Sequence, residues 1–288
     1  MAANKSQYMI LGNIVNLKTY SVIKKCLKLA YDSGRGLLTS AGRNAIFLNS
    51  IPKSGTHLAH QVLMQFHYRD NFGFYATTPS WNMKVRSISD AKTYLAKMYN
   101  NEIMSGHLFY SKEMEDFLSG HSIPSVFIYR DPRAIFLSEL HYLSNMNKWH
   151  KCHGYYSRCS SFDEQFELCL GGIKTNKFYY PEFSQRIKDY LGWMSSQAVF
   201  SIQFEELINE SKREGLINDL QYYLESYCRL SSDKLFLAKK ENMLPAPNES
   251  HTYTGLAPDR WRTDLNHCQI SKLNEHLGDV VTDMGYMI

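Results

Sequence analysis

The sequence predicts a single α/β domain, residues 1–288, with a central parallel sheet of four to five strands flanked by helices. Short apolar runs at 45–48, 126–129 and 198–204 indicate buried strands, and a helical pattern follows each of them. Strands that alternate with helices are typical of parallel sheets. A chain of 288 residues with 44% hydrophobic residues can bury one full core. No repeat indicates a second domain, and residues 1–17 are expected to form a flexible arm.

The composition narrows the classes of function. A net charge of +4 suits an anionic small ligand but is too small for a nucleic-acid-binding surface. The chain has no apolar run long enough to span a membrane and no signal-peptide pattern. Six cysteines are too few for a disulfide scaffold, so a reducing, cytoplasmic location is expected. No sequence feature indicates an oligomeric state.

The segment 45–66, AIFLNSIPKSGTHLAHQVLMQF, is the strongest candidate for a binding site. A short strand, a tight polar turn at Gly55 and an amphipathic helix follow one another. This arrangement directs backbone N–H groups and the positive end of a helix dipole at one point, where a phosphate binds well. Lys53 adds a positive charge, and Ser54 and Thr56 add hydroxyl donors. The loop is P-loop-like, but its lysine precedes the glycine, so it is not a Walker A motif.

A second candidate site follows the apolar run at 126–129. Arg130 ends this predicted strand, and Asp131 and Pro132 are a favourable N-cap and first residue for a helix. Ser138 lies two turns into that helix. A guanidinium and a hydroxyl at these positions could bind one phosphate together.

A third candidate is His107, just beyond the short apolar pair Ile103 and Met104. In open α/β sheets, ligands bind beyond the carboxyl ends of the strands. The ordinary pKa of histidine, near 6.5, leaves much of it neutral at physiological pH. A histidine here is therefore suited to take a proton from an acceptor hydroxyl or amine.

These segments together resemble sulfotransferases that use 3′-phosphoadenosine 5′-phosphosulfate (PAPS), of the cytosolic or bacterial small-molecule type. IPKSGTH, residues 51–57, is similar to the family's phosphosulfate loop, and SGHLFYS is similar to the segment that carries its general base. Arg130 and Ser138 keep the eight-residue spacing of the family's 3′-phosphate segment. The resemblance covers most of residues 44–266.

The resemblance implies a role for each candidate. Lys53 would neutralise charge on the bridging oxygen of PAPS, and the backbone N–H groups of Gly55 and Thr56 would hold the 5′-phosphate. Arg130 and Ser138 would hold the 3′-phosphate, and His107 would be the general base. The product would be 3′-phosphoadenosine 5′-phosphate (PAP), and no metal is required. The further cofactor-binding residues that the resemblance implies are Ser54, His57, Phe204, Thr254 and Gly255, with Phe204 in place of a tyrosine that packs on the adenine.

The sequence departs from the family pattern at several positions. Ser105 replaces a lysine that often lies two residues before the histidine, and Phe109 replaces a proline. The Arg-Lys pair that normally precedes Gly255 is absent, and Arg260 or Arg262 could supply the lost charge.

The acceptor is expected to be a small molecule, and the resemblance suggests a bacterial natural product, with a saxitoxin-type alkaloid as a candidate. Glu139 or Glu113 could bind a cationic acceptor. Residues 68–100 show little periodicity, and RDNFGFYATTPSWN, residues 69–82, is predicted to be a long loop. Its aromatics Phe72, Phe74, Tyr75 and Trp81 either line the acceptor pocket or pin the loop down. Residues 144–180 are predicted to be a lid over the acceptor, and the cysteines of that lid, Cys152 and Cys159, lack usual zinc-ligand spacing.

Two other functions stay open at this point. A P-loop-type phosphoryl transferase would require a Walker lysine and an acidic Mg²⁺ ligand at a strand end, and neither is found. A catalytically inactive nucleotide-binding protein would explain the missing positive charges. The intact Lys53 and His107 argue against it.

Overall fold

Five parallel strands form the central sheet of the computed structural model, which describes residues 45–66, 68–75, 87–227 and 257–288. They are β1 (Ile46–Ser50), β2 (Arg69–Tyr75), β3 (Glu102–Gly106), β4 (Ser125–Tyr129) and β7 (Phe200–Gln203), while β5 (Ile173–Lys174) and β6 (Tyr179–Tyr180) form a separate antiparallel pair. The order across the sheet is β2-β3-β1-β4-β7. The predicted parallel α/β sheet is therefore confirmed.

Helices cover both faces of this sheet. They are α1 (Thr56–Met64), α2 (Ile88–Ala96), α3 (Lys112–Gly120), α4 (Pro132–His141), α5 (His153–Tyr156), α6 (Phe162–Gly171), α7 (Phe183–Lys188), α8 (Phe204–Ile208), α9 (Glu210–Tyr227), α10 (Arg260–Asp264), α11 (His267–Leu277) and α12 (Val280–Asp283). A π-helical turn, Tyr142–Met146, continues α4, and a 3₁₀ turn, Leu191–Trp193, follows α7. None of the helices within the described ranges is long and apolar enough to cross a membrane.

The core lies in two apolar layers, one on each face of the sheet. Ile46 and Leu48 of β1 pack in the layer that contains α1 and α9, whereas Phe47 packs in the layer that contains α4 and α11. This alternation follows from the two-residue period of a strand. Within residues 43–288 the described elements form one compact unit, and the predicted arm 1–17 lies outside the described residues.

Two regular elements lie within residues 68–100, and the prediction of a long loop at 69–82 is wrong for its first part. Residues 69–75 form β2, which pairs with β3 at the edge of the sheet with an irregular register between Asp70 and Tyr75. Its polar residues and its glycine conceal the strand because they have low strand propensity. Residues 88–96 form α2, capped by Ser87, whose side chain accepts a hydrogen bond from the Asp90 N–H group. The loop aromatics Phe72, Phe74, Tyr75 and Trp81 lie outside the described side chains.

The segment predicted to be a lid, 144–180, contains α5, α6 and the β5–β6 pair. Cys152, Tyr156 and Cys169 are fully buried against the core. The four cysteines within the described ranges, which include Cys159, are free thiols. Within those same ranges no three potential metal-ligating side chains cluster together. A lid over the acceptor stays a prediction.

Two glycine substitutions test this packing. At Gly192 an added Cβ would lie 2.2 Å from the ring of Tyr110, which is itself held by Glu115 and packs edge-on against Trp193. Gly192→Ala should therefore lower the free energy of unfolding by about 1–3 kcal/mol. The matched control is Gly215→Ala in α9, where an added Cβ meets nothing within 4 Å.

This control should raise the free energy of unfolding by about 0.5–1 kcal/mol, because alanine restricts the unfolded chain and favours a helix. Urea denaturation of both variants measures the difference. Equal effects of the two substitutions would contradict the packing around Tyr110.

Candidate active site

The candidate residues meet at one edge of the sheet. Because β1, β3, β4 and β7 are parallel, their carboxyl ends lie side by side, with Asn49 level with Gly106 of β3 and Ser50 level with Ile128 of β4. Ligands of open α/β sheets bind beyond this edge. The segments that follow these strand ends are the loop 51–55, His107, Arg130 and Phe204.

The loop after β1 forms an anion cradle, by which we mean residues 52–57. Lys53 and Gly55 both adopt left-handed backbone conformations, with φ of 71° and 101°, and α1 begins at Thr56. Successive N–H groups in such a turn point into one concavity, and the first N–H groups of a helix have no helical acceptor. Gly55 is required here because an added Cβ would also lie 2.5 Å from the ring of Phe204. The geometry is suited to a phosphate or sulfate group.

The side chains of Ser54 and His57, which also belong to the cradle, differ in their surroundings. The hydroxyl of Ser54 is fully buried and lies 2.6 Å from the carbonyl oxygen of Ile51 and 2.9 Å from that of Ile128. It fastens the loop to β4, so the hydroxyl is not offered to a phosphate as the sequence had suggested. His57 is exposed in the first turn of α1, and its contact with a donor stays a prediction.

Lys53 places a partly buried cation at the cradle. Its Nζ atom lies 4.1 Å from the ring centroid of Tyr142. Burial lowers the pKa of Lys53 to about 8, with Glu139 opposing this shift and Arg130 adding to it. Desolvation penalises the ammonium form, so an anion bound beside Lys53 would offset that penalty.

Glu139, behind Lys53, is already neutralised by its neighbours. Its Oε1 atom accepts hydrogen bonds from Arg186 at 2.9 Å and from the hydroxyl of Tyr180 at 2.7 Å, and all three are buried or nearly so. Glu113 pairs with Lys92 at the surface, where 62% of the Glu113 side chain is exposed. Neither carboxylate therefore offers an unpaired negative charge to a cationic acceptor.

His107 is fixed by the end of β1. Its Nδ1 atom lies 3.0 Å from the carbonyl oxygen of Ser50. A carbonyl oxygen can only accept, so Nδ1 carries the proton and Nε2 carries the lone pair. Burial lowers the pKa of His107 to about 4, the nearby His57 and Lys53 add to the shift, and the bond to Ser50 opposes it. The imidazole is therefore neutral at physiological pH, as a general base must be.

Sequence reasoning missed the two polar residues that hold His107. The Asn49 side chain accepts from the Leu108 N–H group at 2.8 Å and donates to the Leu108 carbonyl at 3.0 Å. The Ser50 hydroxyl lies 3.0 Å from His107 Nδ1 and 2.7 Å from Thr56 Oγ1. Their signal was present in the sequence, because two polar residues end an otherwise apolar strand at the edge where ligands bind.

Arg130 is a second partly buried cation. Its guanidinium carbon lies 4.3 Å from the ring centroid of Phe204, and burial lowers its pKa while Glu205 and Asp131 oppose the shift. Its Nε atom is buried without a hydrogen-bond partner among the described residues. A buried donor left unpaired is costly, so this atom indicates a missing acceptor such as a phosphate oxygen.

The other predicted cofactor contacts have mixed outcomes. Asp131 caps α4 as predicted, and Ser138 lies half-buried in the second turn of that helix, where its phosphate contact stays a prediction.

Phe204 is only 4% exposed, with Arg130 on its ring and Gly55 at its edge. In the ligand-free protein the ring of Phe204 therefore supports the loop and the arginine, and its expected stacking on an adenine stays a prediction. Thr254 and Gly255 lie outside the described residues.

Among the described residues, the positive charges missing from the family pattern are not simply replaced. Ser105 is buried within β3. Arg260 is engaged with Asp264 at 2.7 Å, and Arg262 lies 4.3 Å from the ring of Trp261. Within the described part of the chain, Lys53 and Arg130 are therefore the cations that the geometry places at the candidate site.

Replacing Lys53 tests its unfavourable burial. Lys53→Met should raise the free energy of unfolding of the ligand-free protein by about 1–3 kcal/mol near neutral pH, because methionine has no charge to desolvate. A pKa lowered to about 8 means that the folded state releases the proton before the unfolded state does. The advantage should be full below pH 8 and should shrink as the pH rises towards the ordinary lysine value of 10.5.

The control is Lys272→Met, at an exposed ion pair with Glu167, which should change stability by less than about 0.5 kcal/mol. Thermal or urea denaturation across this pH range provides the measurement. A loss of stability in Lys53→Met would contradict the assigned environment.

The fold is shared with solved structures of a mouse sulfotransferase and of retinol dehydratase. Mouse sulfotransferase SULT7A1 complexed with PAP aligns with a TM-score of 0.53 and 18% identity, covering 88% of this chain and 93% of that one. Retinol dehydratase with androsterone and the inactive cofactor PAP aligns with a TM-score of 0.51 and 15% identity, covering 83% and 81%. Its complex with retinol and PAP gives 0.51 and 13%, covering 83% and 82%.

Sequence comparison gives the family. Comparison with curated proteins finds no matching relative. The family model described as the sulfotransferase domain matches residues 43–284, which is most of the chain and includes every candidate residue above. The protein therefore belongs to the sulfotransferase family.

Proposed function

We propose that the protein transfers a sulfuryl group from PAPS to a hydroxyl or amine of a small-molecule acceptor. One observation carries the proposal: the anion cradle and a neutral histidine share a single contact residue. Ser50 Oγ lies 2.7 Å from Thr56 in the cradle and 3.0 Å from His107 Nδ1. A binding site for the leaving phosphate and a base for the acceptor are therefore within two hydrogen bonds of each other.

The described residues fit the two ends of PAPS. The cradle suits the phosphate that bears the sulfuryl group. The Nε atom of Arg130, which has no hydrogen-bond partner among the described residues, suits the 3′-phosphate. Phe204 contacts both Gly55 and Arg130, so one ring supports both binding elements. PAP in complexes of the structurally similar proteins agrees with this assignment.

When bound, PAPS supplies an activated sulfuryl group whose departure leaves negative charge on a phosphate. Lys53 would neutralise that charge, and the first N–H groups of α1 would help to stabilise it. The acceptor's oxygen or nitrogen forms the new bond to sulfur while the bond from sulfur to the phosphate oxygen breaks. The acceptor's proton passes to Nε2 of His107.

The acceptor is proposed to be a small molecule. Glu139 is neutralised by Arg186, so the described residues give no support to a cationic alkaloid of the saxitoxin type. Retinol dehydratase binds androsterone and retinol in its crystal structures, which is compatible with a small-molecule acceptor here. A cytoplasmic location is proposed with it, on the sparse cysteines of the sequence.

Titration calorimetry with PAP tests donor binding. The wild type should bind PAP with micromolar affinity, and Arg130→Ala should weaken it by about 10- to 100-fold, because a charged bond to the 3′-phosphate is lost. Adenosine monophosphate, which lacks the 3′-phosphate, should bind wild type and Arg130→Ala equally weakly.

The matched control is Arg158→Ala, which removes an exposed arginine whose guanidinium lies 5.9 Å from the ring of Tyr155. It should bind PAP like the wild type. Equal affinity of the wild type for PAP and adenosine monophosphate would overturn the proposal.

His107→Gln tests the base. With PAPS and a panel of phenols, alcohols and amines, it should lower kcat by about 10²- to 10⁴-fold and leave PAP affinity nearly unchanged. In the wild type, kcat/KM should stay level down to about pH 5 and fall as the pH approaches about 4, because protonated His107 cannot accept a proton.

His121→Gln, an exposed histidine at the end of α3, is the control and should be fully active. Unchanged kcat in His107→Gln would assign the proton transfer to another group. PAP binding without transfer to any acceptor in the wild type would favour the inactive nucleotide-binding alternative.

A further inference from the structure

Ser50 contacts both halves of the candidate site but has no role of its own in the reaction described above. It is the last residue of β1 and is fully buried. Its hydroxyl oxygen lies 2.7 Å from Thr56 Oγ1, 3.0 Å from His107 Nδ1 and 3.3 Å from the Gly106 carbonyl oxygen. One small side chain thus contacts both the donor cradle and the candidate base.

The direction of these hydrogen bonds follows from the backbone. His107 Nδ1 also lies 3.0 Å from the carbonyl oxygen of Ser50, so Nδ1 must carry a proton. The Ser50 hydroxyl can therefore only accept from His107. The hydroxyl proton of Ser50 must then go to another acceptor. Thr56 Oγ1, at 2.7 Å, is nearer than the carbonyl oxygen of Gly106, at 3.3 Å.

The same reasoning extends to Thr56. Once Thr56 Oγ1 accepts from Ser50, its own hydroxyl proton is directed to a different acceptor. Thr56 is the first residue of α1 and lies in the cradle. The remaining proton is therefore available to a group that binds there.

We propose that Ser50 is a positioning residue that orients the Thr56 hydroxyl toward the 5′-phosphate of the donor and links this bond to the general base. The chain of donors runs from His107 Nδ1 through Ser50 and Thr56 to the phosphate oxygen. This inference rests on the proposed function for the identity of the anion.

The chain couples two events of the reaction. When Nε2 takes the proton of the acceptor, the imidazolium becomes a stronger donor at Nδ1. Hydrogen bonds in series polarise one another, so the bonds of Ser50 and Thr56 strengthen as well. The phosphate gains negative charge at the same moment. Base protonation and leaving-group charge therefore stabilise each other through Ser50.

A double-mutant cycle on PAP affinity tests the coupling. Thr56→Val should raise the Kd for PAP about tenfold, and Ser50→Ala should raise it to a similar extent because Thr56 loses its orientation. The double variant Ser50→Ala/Thr56→Val should bind PAP no more weakly than Thr56→Val alone, since both substitutions interrupt the same chain of hydrogen bonds. Ser50→Thr keeps the hydroxyl and should restore affinity.

Ser125→Ala is the matched control. Ser125 is equally buried, in the neighbouring strand β4, and its hydroxyl donates to Ile123 at 3.0 Å. It should bind PAP like the wild type. Multiplicative losses in the double variant, or unchanged affinity in Ser50→Ala, would overturn the inference while the response to Arg130→Ala still supports the proposed function.

A second measurement is made on the ligand-free protein, without PAP or PAPS. Proton NMR detects the Nδ1 proton of His107, assigned by its loss in His107→Gln. Ser50→Ala and Thr56→Val should both move this resonance, because each shortens the chain that polarises it, and Ser50→Thr and Ser125→Ala should not. Movement in Ser50→Ala alone would leave Ser50 as a local contact of His107 and reject the link to Thr56. No PAP binding by the wild type would reject the proposed function, and the NMR result would still decide the link.

Discussion

The site depends on two buried polar side chains at the end of β1. Asn49 makes a pair of hydrogen bonds to the backbone of Leu108, and Ser50 holds the imidazole of His107. Buried polar groups of this kind are stabilising only when each partner is in place, so they select one arrangement of the strand ends. His107, the proposed base, is thereby fixed to the same strand that leads into the anion cradle.

In the ligand-free protein, two positively charged side chains at this edge of the sheet are buried at a cost in free energy. Burial lowers the pKa of both Lys53 and Arg130, and the first turn of α1 adds a positive partial charge. Neighbouring carboxylates offset only part of the cost of burying these cations, since Glu139 is already paired with Arg186. A bisphosphate donor would offset the cost, so affinity for the donor and reduced stability without it have one physical origin.

Local patterns predicted much of this arrangement. Apolar runs that precede amphipathic helices gave β1, β4 and β7 with their helices, and the Asp131–Pro132 pair gave the start of α4. The edge strand β2 could not be predicted because pairing in the sheet, and not its own propensity, makes it extended. The direction of a side chain is equally absent from the sequence. For this reason the sequence did not show that the side chains of Ser54 and Phe204 support the loop and Arg130. It also did not show that Ser50 contacts His107.

The central claim is that the carboxyl edge of the sheet binds one donor molecule between the cradle and Arg130. A crystal structure of the protein grown with PAP tests it most directly. The account predicts the 5′-phosphate within hydrogen-bond distance of the Gly55 and Thr56 N–H groups and the 3′-phosphate on the Arg130 guanidinium. A PAP molecule bound elsewhere, or a cradle occupied without any contact to Arg130, would contradict it.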